Sequence, residues 1–313
     1  MIYMNIIDIV LLLVGFVLLV KGADIFVEGA SDLATKLKVP AMIIGLTVVA
    51  FGTSAPEASV SITSALTNSN AIAISNILGS NVFNLLLVIG ITALIYKIDI
   101  QEVSVKQDFP ILLVSGILLL LTIITGQIIS RFEGILFLIL IIIYVLYLIT
   151  KAKKESKNMP VGTTHLSNIR IILYIIFGLA FIIFGGDLVV DASKNIALSL
   201  GMSETLVGLT IVSIGTSLPE LITSVTAAYN KQTEIALGNA IGSCLFNILF
   251  IVGLTTSITP IITTNIMVID TIIMLVVVII TYLLAYDRDF DRKDGLIMVT
   301  LFIIYMIYII IRN

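Results

Sequence analysis

The chain has 313 residues, 59% of them apolar and only 12% charged, about half the charged share of a soluble domain. That balance excludes a water-soluble globular protein, and the formal charge of −3 carries no signal for nucleic acid, because the charges sit in short loops. One cysteine, Cys244, excludes a disulfide framework within the chain.

Apolar runs of roughly 20 residues are long enough to cross a bilayer as helices. In chain order the first half gives spans at 5–33, 40–66, 71–96, 108–125 and 132–150. The start, "MIYMNIIDIV", has no Lys or Arg before the apolar run and no small-residue cleavage site, so it reads as an uncleaved first span. The most polar connection, "KAKKESKNMPVGTTHLSNIR" at 151–170, separates these from spans at 169–194, 204–229, 234–259, 265–286 and 294–311. The first and sixth are long and need tilt or a bend. The expected fold is an all-α polytopic membrane protein of ten helices. Its parts are a first five-helix repeat (1–150), a linker loop (151–168) and a second, inverted five-helix repeat (169–313).

Orientation follows from Lys and Arg in the short loops. One side carries Lys36, Lys38, Lys97, Lys106, Lys151, Lys153, Lys154, Lys157, Arg170, Lys231, Arg288, Arg292 and Lys293; the other carries Arg131, Lys194 and Arg312. The excess makes the 151–168 loop cytoplasmic, with both termini outside the cell membrane.

The repeat is direct in the sequence. "GLTVVAFGTSAPEASVSIT" (45–63) returns as "GLTIVSIGTSLPELITSVT" (208–226), and an offset of 163 gives 22 identities between 45 and 92 in 48 gapless positions. The match extends back to "GADIFVEGA" (22–30) against "GGDLVVDAS" (185–193). Five spans per half is an odd number, so the second copy enters the membrane from the opposite side. Secondary transporters commonly have this inverted architecture, with substrate bound near mid-membrane between the repeats.

Each motif is costly in lipid. Pro56 and Pro219 lack an amide hydrogen and clash one turn back, so the carbonyls around Gly52 and Gly215 lose helical partners. Freed carbonyls at membrane depth are tolerated only in protein or along a polar cavity. With Glu57 and Glu220 the expectation is two broken helices, each offering a carboxylate, two hydroxyls (Thr53 and Ser54; Thr216 and Ser217) and loose carbonyls. Such a set reaches the six to eight hard oxygens that calcium prefers. A second broken element is expected in each half, at "SNILGSNVFN" (75–84) and "GNAIGSCLFN" (238–247), where Ser80, Asn84, Ser243 and Asn247 add neutral oxygens.

"GTSAPE" with "GSNVFN", repeated as "GTSLPE" with "GSCLFN", resembles the α-repeats of the calcium/cation antiporter superfamily, in its sodium/calcium exchanger branch. That resemblance covers nearly the whole chain. It implies an antiporter, not an enzyme, exchanging three sodium ions for one calcium by alternating access, with the first and sixth helices sliding across the rest. No cofactor is implied; calcium and sodium are the transported ions, the bilayer is the surrounding partner, and no protein partner is inferred. Glu57 and Glu220 would bind calcium and share sodium ligation. The carbonyls of Ala50 and Ser213, with Thr53, Ser54, Thr216, Ser217, Ser80 and Ser243, would complete the sites. Some exchangers carry Asp where Asn84 and Asn247 stand, which separates this chain from roles that need an acid there, notably potassium coupling.

A proton/calcium exchanger of the same superfamily is the close alternative, and the hydroxyl count around the glutamates favours sodium. A channel fits two inverted cavities less well, and no metalloprotease or phosphate-binding motif marks an enzyme. Glu57 could instead pair with Lys21 for the fold. Ser61, Thr63, Ser224 and Thr226 read as helix-packing hydroxyls. Asp24, Glu28, Asp187 and Asp191, near the ends of the first and sixth spans, read as structural, with Lys21 beside Asp24. His165 reads as solvated, Cys244 as a packing residue, and Gly90 and Gly253 as close helix contacts.

Overall fold

In a bilayer, runs of Ile, Leu and Val can satisfy their backbone only as helices or closed barrels, and the described residues of this chain are almost wholly helical. The computed structural model describes residues 6–66, 70–126, 128–155, 164–200 and 213–312. In the first half α1 is Ile6–Leu37, α2 Ala41–Thr53, α3 Ala55–Leu66, α4 Ala73–Ile95 and α5 Ser104–Thr125, followed by α6, Arg131–Glu155. In the second, α7 is Asn168–Ser199, α8 the single turn Ser213–Gly215 and α9 Leu218–Tyr229. Then come α10, Thr233–Ile258, α11, Asn265–Leu284, and α12, Arg292–Arg312.

Among the described residues eight helices are long and apolar enough to cross a membrane, and α2 with α3 adds a ninth if that bent pair is one span. Residues 204–212, which open the expected seventh span, lie outside the described residues, as do 156–163 of the expected linker. The surface is inverted relative to a soluble protein. Val10, Leu13 and Val17 of α1, Phe132 and Ile142 of α6 and Ile303 and Ile304 of α12 are exposed, while Glu57, Glu220, Asn84 and Asn247 are completely buried. Lipid tails are as apolar as leucine, so exposed isoleucines cost nothing there.

Helix α1 pairs along its length with α7, through glycines that let the backbones touch. A Cβ at Gly22 would lie 2.9 Å from the Gly178 carbonyl oxygen, and one at Gly178 would lie 2.9 Å from that of Gly22. Gly15 and Gly185 repeat the relation at 2.9 and 2.8 Å. With an offset of 163, Gly15 corresponds to Gly178 and Gly22 to Gly185, so each half supplies the same two glycines to the other. Small residues are the usual means of close helix approach in membranes. The expected close contacts at Gly90 and Gly253 also stand: a Cβ there would meet the carbonyls of Gly295 at 3.2 Å and Gly134 at 3.0 Å.

At the centre runs α10, buried at every residue from Ile235 to Leu245; it packs on α2, α4 and α9. Two short strand pairs close the ends. Strand β1 (Ile98–Asp99) pairs antiparallel with β4 (Asp289–Phe290), and β2 (Ile128–Ile129) with β3 (Ile261–Ile262). Helix α5 lies between β1 and β2 and at 1.5 Å per residue is about 33 Å long, so the two pairs mark opposite ends. At the β1–β4 end, Lys97 pairs with Asp289 at 2.7 Å, Arg288 with Glu102 at 3.1 Å, and Gln101 reaches Glu234. The Lys97 ammonium is held above its usual range by Asp289, and the Glu102 carboxyl below its usual range by Lys106. At the other end Arg131 meets the Ile258 carbonyl, Asn195 meets Asp8 and Arg312 pairs with Asp270. Arg131 and Arg312 thus lie away from the Lys97–Arg288 group, as the loop charges divide them.

Two expectations need correcting. First, α4 and α10 are not broken at 75–84 and 238–247; each passes through and carries one π-helical stretch, at Phe83–Val88 and Phe246–Ile251. Gly242 serves contact rather than a break, since a Cβ there would lie 2.7 Å from the Cβ of Ala50, and without proline each helix stays hydrogen-bonded, shifting to the wider π pattern only at its π stretch. Second, α1 continues to Leu37 and α7 to Ser199, so Asp24 and Asp187 lie well inside their helices. The expected Lys21–Asp24 pair is present, at 3.9 Å and exposed.

Candidate functional site

Pro56 has no N–H to offer the Gly52 carbonyl, and there the chain leaves the helix. Ser54 sits at φ −81°, ψ 7°, and α2 and α3 meet at a 47° bend. In the second half Thr216 and Ser217 form a turn between α8 and α9, with Ser217 at φ −93°, ψ 5° and Pro219 in the first turn of α9. Each break places a glutamate one residue past its proline, at the start of a helix, where a negative charge is favoured by the dipole.

The two breaks face each other and exchange partners. Ser54 Oγ donates to Glu220 Oε1 at 2.9 Å, and Ser217 Oγ donates to Glu57 Oε1 at 2.9 Å. From the neighbouring helices Ser80 Oγ donates to Glu57 Oε1 at 3.3 Å and Ser243 Oγ to Glu220 Oε1 at 3.4 Å. Ser217 and Ser80 hydroxyls also lie 3.0 Å apart. The four serine–glutamate bonds form two pairs related by an offset of 163 residues.

A frame of asparagines holds the breaks. Asn239 Nδ2 donates to the Glu220 carbonyl at 3.2 Å and to Ser224 Oγ at 2.9 Å, and its Oδ1 accepts from Thr53 Oγ1 at 2.9 Å. Asn76 does the same for Glu57, Ser61 and Thr216 at 3.5, 3.2 and 3.4 Å. Ser61 and Ser224 in turn donate to the carbonyls of Ala73 and Ala236, so both serve helix packing as expected. The motifs alone did not single out Asn76 and Asn239. Their signal was the offset itself, which aligns two amides inside apolar helices.

The Ala50 carbonyl accepts the Ser54 N–H at 3.1 Å and lies 3.4 Å from Thr53 Oγ1. Ser213 begins α8, and its side chain lies outside the described residues. Asn247 Nδ2 donates to Ser80 Oγ at 3.2 Å and to Asn81 Oδ1 at 2.9 Å. Asn84 is buried, and neither amide atom has a partner among the described residues. Lys21 pairs with Asp24, so Glu57 is not its counter-ion.

Three further oxygens of the candidate residues are buried without a hydrogen-bond partner among the described residues: Glu57 Oε2, Glu220 Oε2 and Asn247 Oδ1. Native interiors leave few such groups, and a cation is one of the things that satisfies them. The donor set is two carboxylates, hydroxyls and amide carbonyls, all hard oxygens that suit calcium or sodium. No three His, Cys, Asp or Glu side chains converge anywhere among the described residues, so an ion bound here relies on two charges and neutral oxygens.

These features define a polytopic membrane protein with a buried, oxygen-lined centre between the halves of its chain. Residues 7–150 and 170–311 match the family model for sodium/calcium exchanger protein, and the chain belongs to that family. It is 32% identical over 276 residues to the sodium/calcium exchanger MaX1 of Methanosarcina acetivorans, covering 76% of this chain and 79% of that protein. It is 33% identical over 245 residues to the inner membrane protein YrbG of Escherichia coli K12, covering 74% of each. A solved structure of the sodium-calcium exchanger NCX_Mj superposes with a TM-score of 0.84 at 31% identity, covering 96% of this chain and 98% of that one.

Proposed function

We propose that the chain is a secondary active antiporter that exchanges three sodium ions for one calcium across the cell membrane, with Glu57 and Glu220 as the central ligands. The observation that carries this reading is the reciprocal pairing of each carboxylate with a serine of the other half. A serine that gives its proton to a carboxylate still has lone pairs for a cation. Thr53, Ser54, Thr216, Ser217, Ser80 and Ser243, with the carbonyls of Ala50 and Ser213 and the amides of Asn84 and Asn247, supply the neutral ligands. Two carboxylates balance one calcium, and three sodium ions leave one positive charge in excess.

The proposed frame is ten spans in two inverted five-helix repeats, 1–150 and 169–313, joined by a cytoplasmic linker at 151–168, with both termini outside. It is supported by the offset of 163, which relates both the glycine contacts of α1 with α7 and the hydroxyl–carboxylate bonds. Because each glutamate is tied to the opposite half, filling the centre draws the halves together, and α1 with α7 is free to move past the remaining bundle as access alternates.

The test is calcium uptake by the purified protein in liposomes, driven by an outward sodium gradient or by an outward proton gradient. Uptake with sodium alone is expected. Uptake driven by protons without sodium, or calcium flux needing no counter-ion, would replace the reading with a proton exchanger or a channel.

A further inference from the structure

The central site is nearly symmetric, and one departure from the symmetry lies at Asn81 in the first half and Cys244 in the second. Met274 decides the sense of the hydrogen bonds around Asn81. A thioether sulfur can only accept, so at 3.3 Å the Asn81 Nδ2 group must donate to Met274 Sδ. Asn81 Oδ1 is then turned the other way, 2.9 Å from Asn247 Nδ2, and Asn247 must donate to it. The second N–H of Asn247 goes to Ser80 Oγ at 3.2 Å, which leaves the Ser80 proton for Glu57 Oε1 at 3.3 Å. Hydrogen bonds therefore run outward from Asn247 in two directions, through Asn81 to Met274 and through Ser80 to Glu57. Both N–H bonds of Asn247 are used, and its carbonyl oxygen is left buried with no donor among the described residues.

The second half has no such arrangement among the described residues. Position 244 holds a cysteine, whose Sγ lies 3.7 Å from the Asn81 backbone carbonyl. Asn84, the counterpart of Asn247, has neither its oxygen nor its nitrogen engaged among the described residues. An unbraced amide can present either end to a cation, and its NH2 end is repulsive.

From this geometry we infer that Asn81 is a positioning residue, acting through Asn247. It fixes the Asn247 carbonyl oxygen as the one oriented amide ligand of the centre, and Cys244 withholds the same brace from Asn84. The inference deepens the proposed cation site and rests on that reading. Ion preference is then set by one braced amide beside Glu57, not by two equivalent ones.

Two measurements test it. In sodium-loaded proteoliposomes, Asn81→Cys and Asn247→Ala should each raise the KM for calcium about tenfold with the maximal rate within twofold of the parent, and the double variant should be no worse than Asn247→Ala alone. Asn84→Ala should raise the KM by a smaller factor than Asn247→Ala does. A KM unchanged by Asn81→Cys, or an additive double variant, overturns the inference. The second is a double-mutant cycle of thermal unfolding on Asn81 and Asn247 in cation-free detergent solution, which does not depend on transport. Loss of stability in the single variants that does not add in the double supports the brace even if the parent moves no calcium, in which case the exchanger reading alone falls. Additive losses overturn the brace even if exchange is robust.

Discussion

Ser54 and Glu220 are 166 residues apart in the chain and joined by a 2.9 Å hydrogen bond at the centre of the protein, and Ser217 and Glu57 mirror them at 2.9 Å. A hydrogen bond to a carboxylate contributes about 1.5–3 kcal/mol. Ser54→Ala and Ser217→Ala should therefore each weaken apparent calcium affinity roughly ten- to a hundredfold, by similar factors. Calcium titration of exchange rates checks this. A large effect from one serine and none from the other would show that the halves do not share the ion.

Glu57→Gln and Glu220→Gln should each abolish calcium transport while the protein still folds and purifies. Removing one of two buried charges leaves a divalent ion with a single carboxylate, a loss of several kcal/mol. Neutralising a buried, partly unpartnered carboxylate should leave the apo protein no less stable than the parent. Radioactive calcium uptake with a thermal melt on the same preparation separates the two effects. Normal exchange in either variant would remove that glutamate from the site.

The contact of α1 with α7 leaves no room at Gly22 and Gly178. Gly22→Val or Gly178→Val would drive a side chain into a backbone carbonyl 2.9 Å from the Cβ position, and backbone cannot step aside as a side chain can. Over-packing of this kind costs about 1–3 kcal/mol. Reduced thermal stability is expected from both, with Gly79→Ala as a control, since nothing lies within 4 Å of a Cβ there.

Helix α12 begins with a reciprocal cap. Asp291 accepts the N–H groups of Lys293 at 2.7 Å and Asp294 at 3.1 Å, and Asp294 Oδ2 accepts the Asp291 N–H at 3.0 Å. The backbone N–H of Asp294, then that of Lys293, holds the Asp291 carboxyl below its usual range. A carboxyl depressed in the folded state stabilises fully above its unfolded value, about 3.9, and that stabilisation is lost as pH falls through the folded value. Asp291→Ala should lower the melting temperature by roughly 2–4 °C at pH 7. The gap should close below pH 4. A gap that persists in acid would assign the effect to packing.

Much of the site was legible because its chemistry is punctuated: Pro56 and Pro219 mark breaks in apolar helices, and a carboxylate beside each is hard to explain otherwise. The offset of 163 also made the two halves visible before any contact was known. What the sequence could not supply was partnership. Periodicity assigns a face to Thr53 or Ser61 but not Asn239 or Asn76 as its neighbour. The segments 75–84 and 238–247 read as breaks, yet without proline each stays helical, widening only to a π stretch from Phe83 and Phe246, and Gly242 admits a close neighbour. The different settings of Asn84 and Asn247 depend on Met274, 193 residues from Asn81, and no local motif encodes that.

The proposed exchange of three sodium ions for one calcium, at a centre with two charges, would be electrogenic. The direct measurement is calcium uptake into sodium-loaded proteoliposomes with the potential set by a gradient of a permeant anion, in the presence and absence of potassium. Each cycle should carry one net positive charge outward, so an inside-positive potential should accelerate uptake and an inside-negative one should slow it. With Asn84 and Asn247 neutral, potassium should make no difference. Uptake that requires potassium, or that is indifferent to membrane potential, would contradict it.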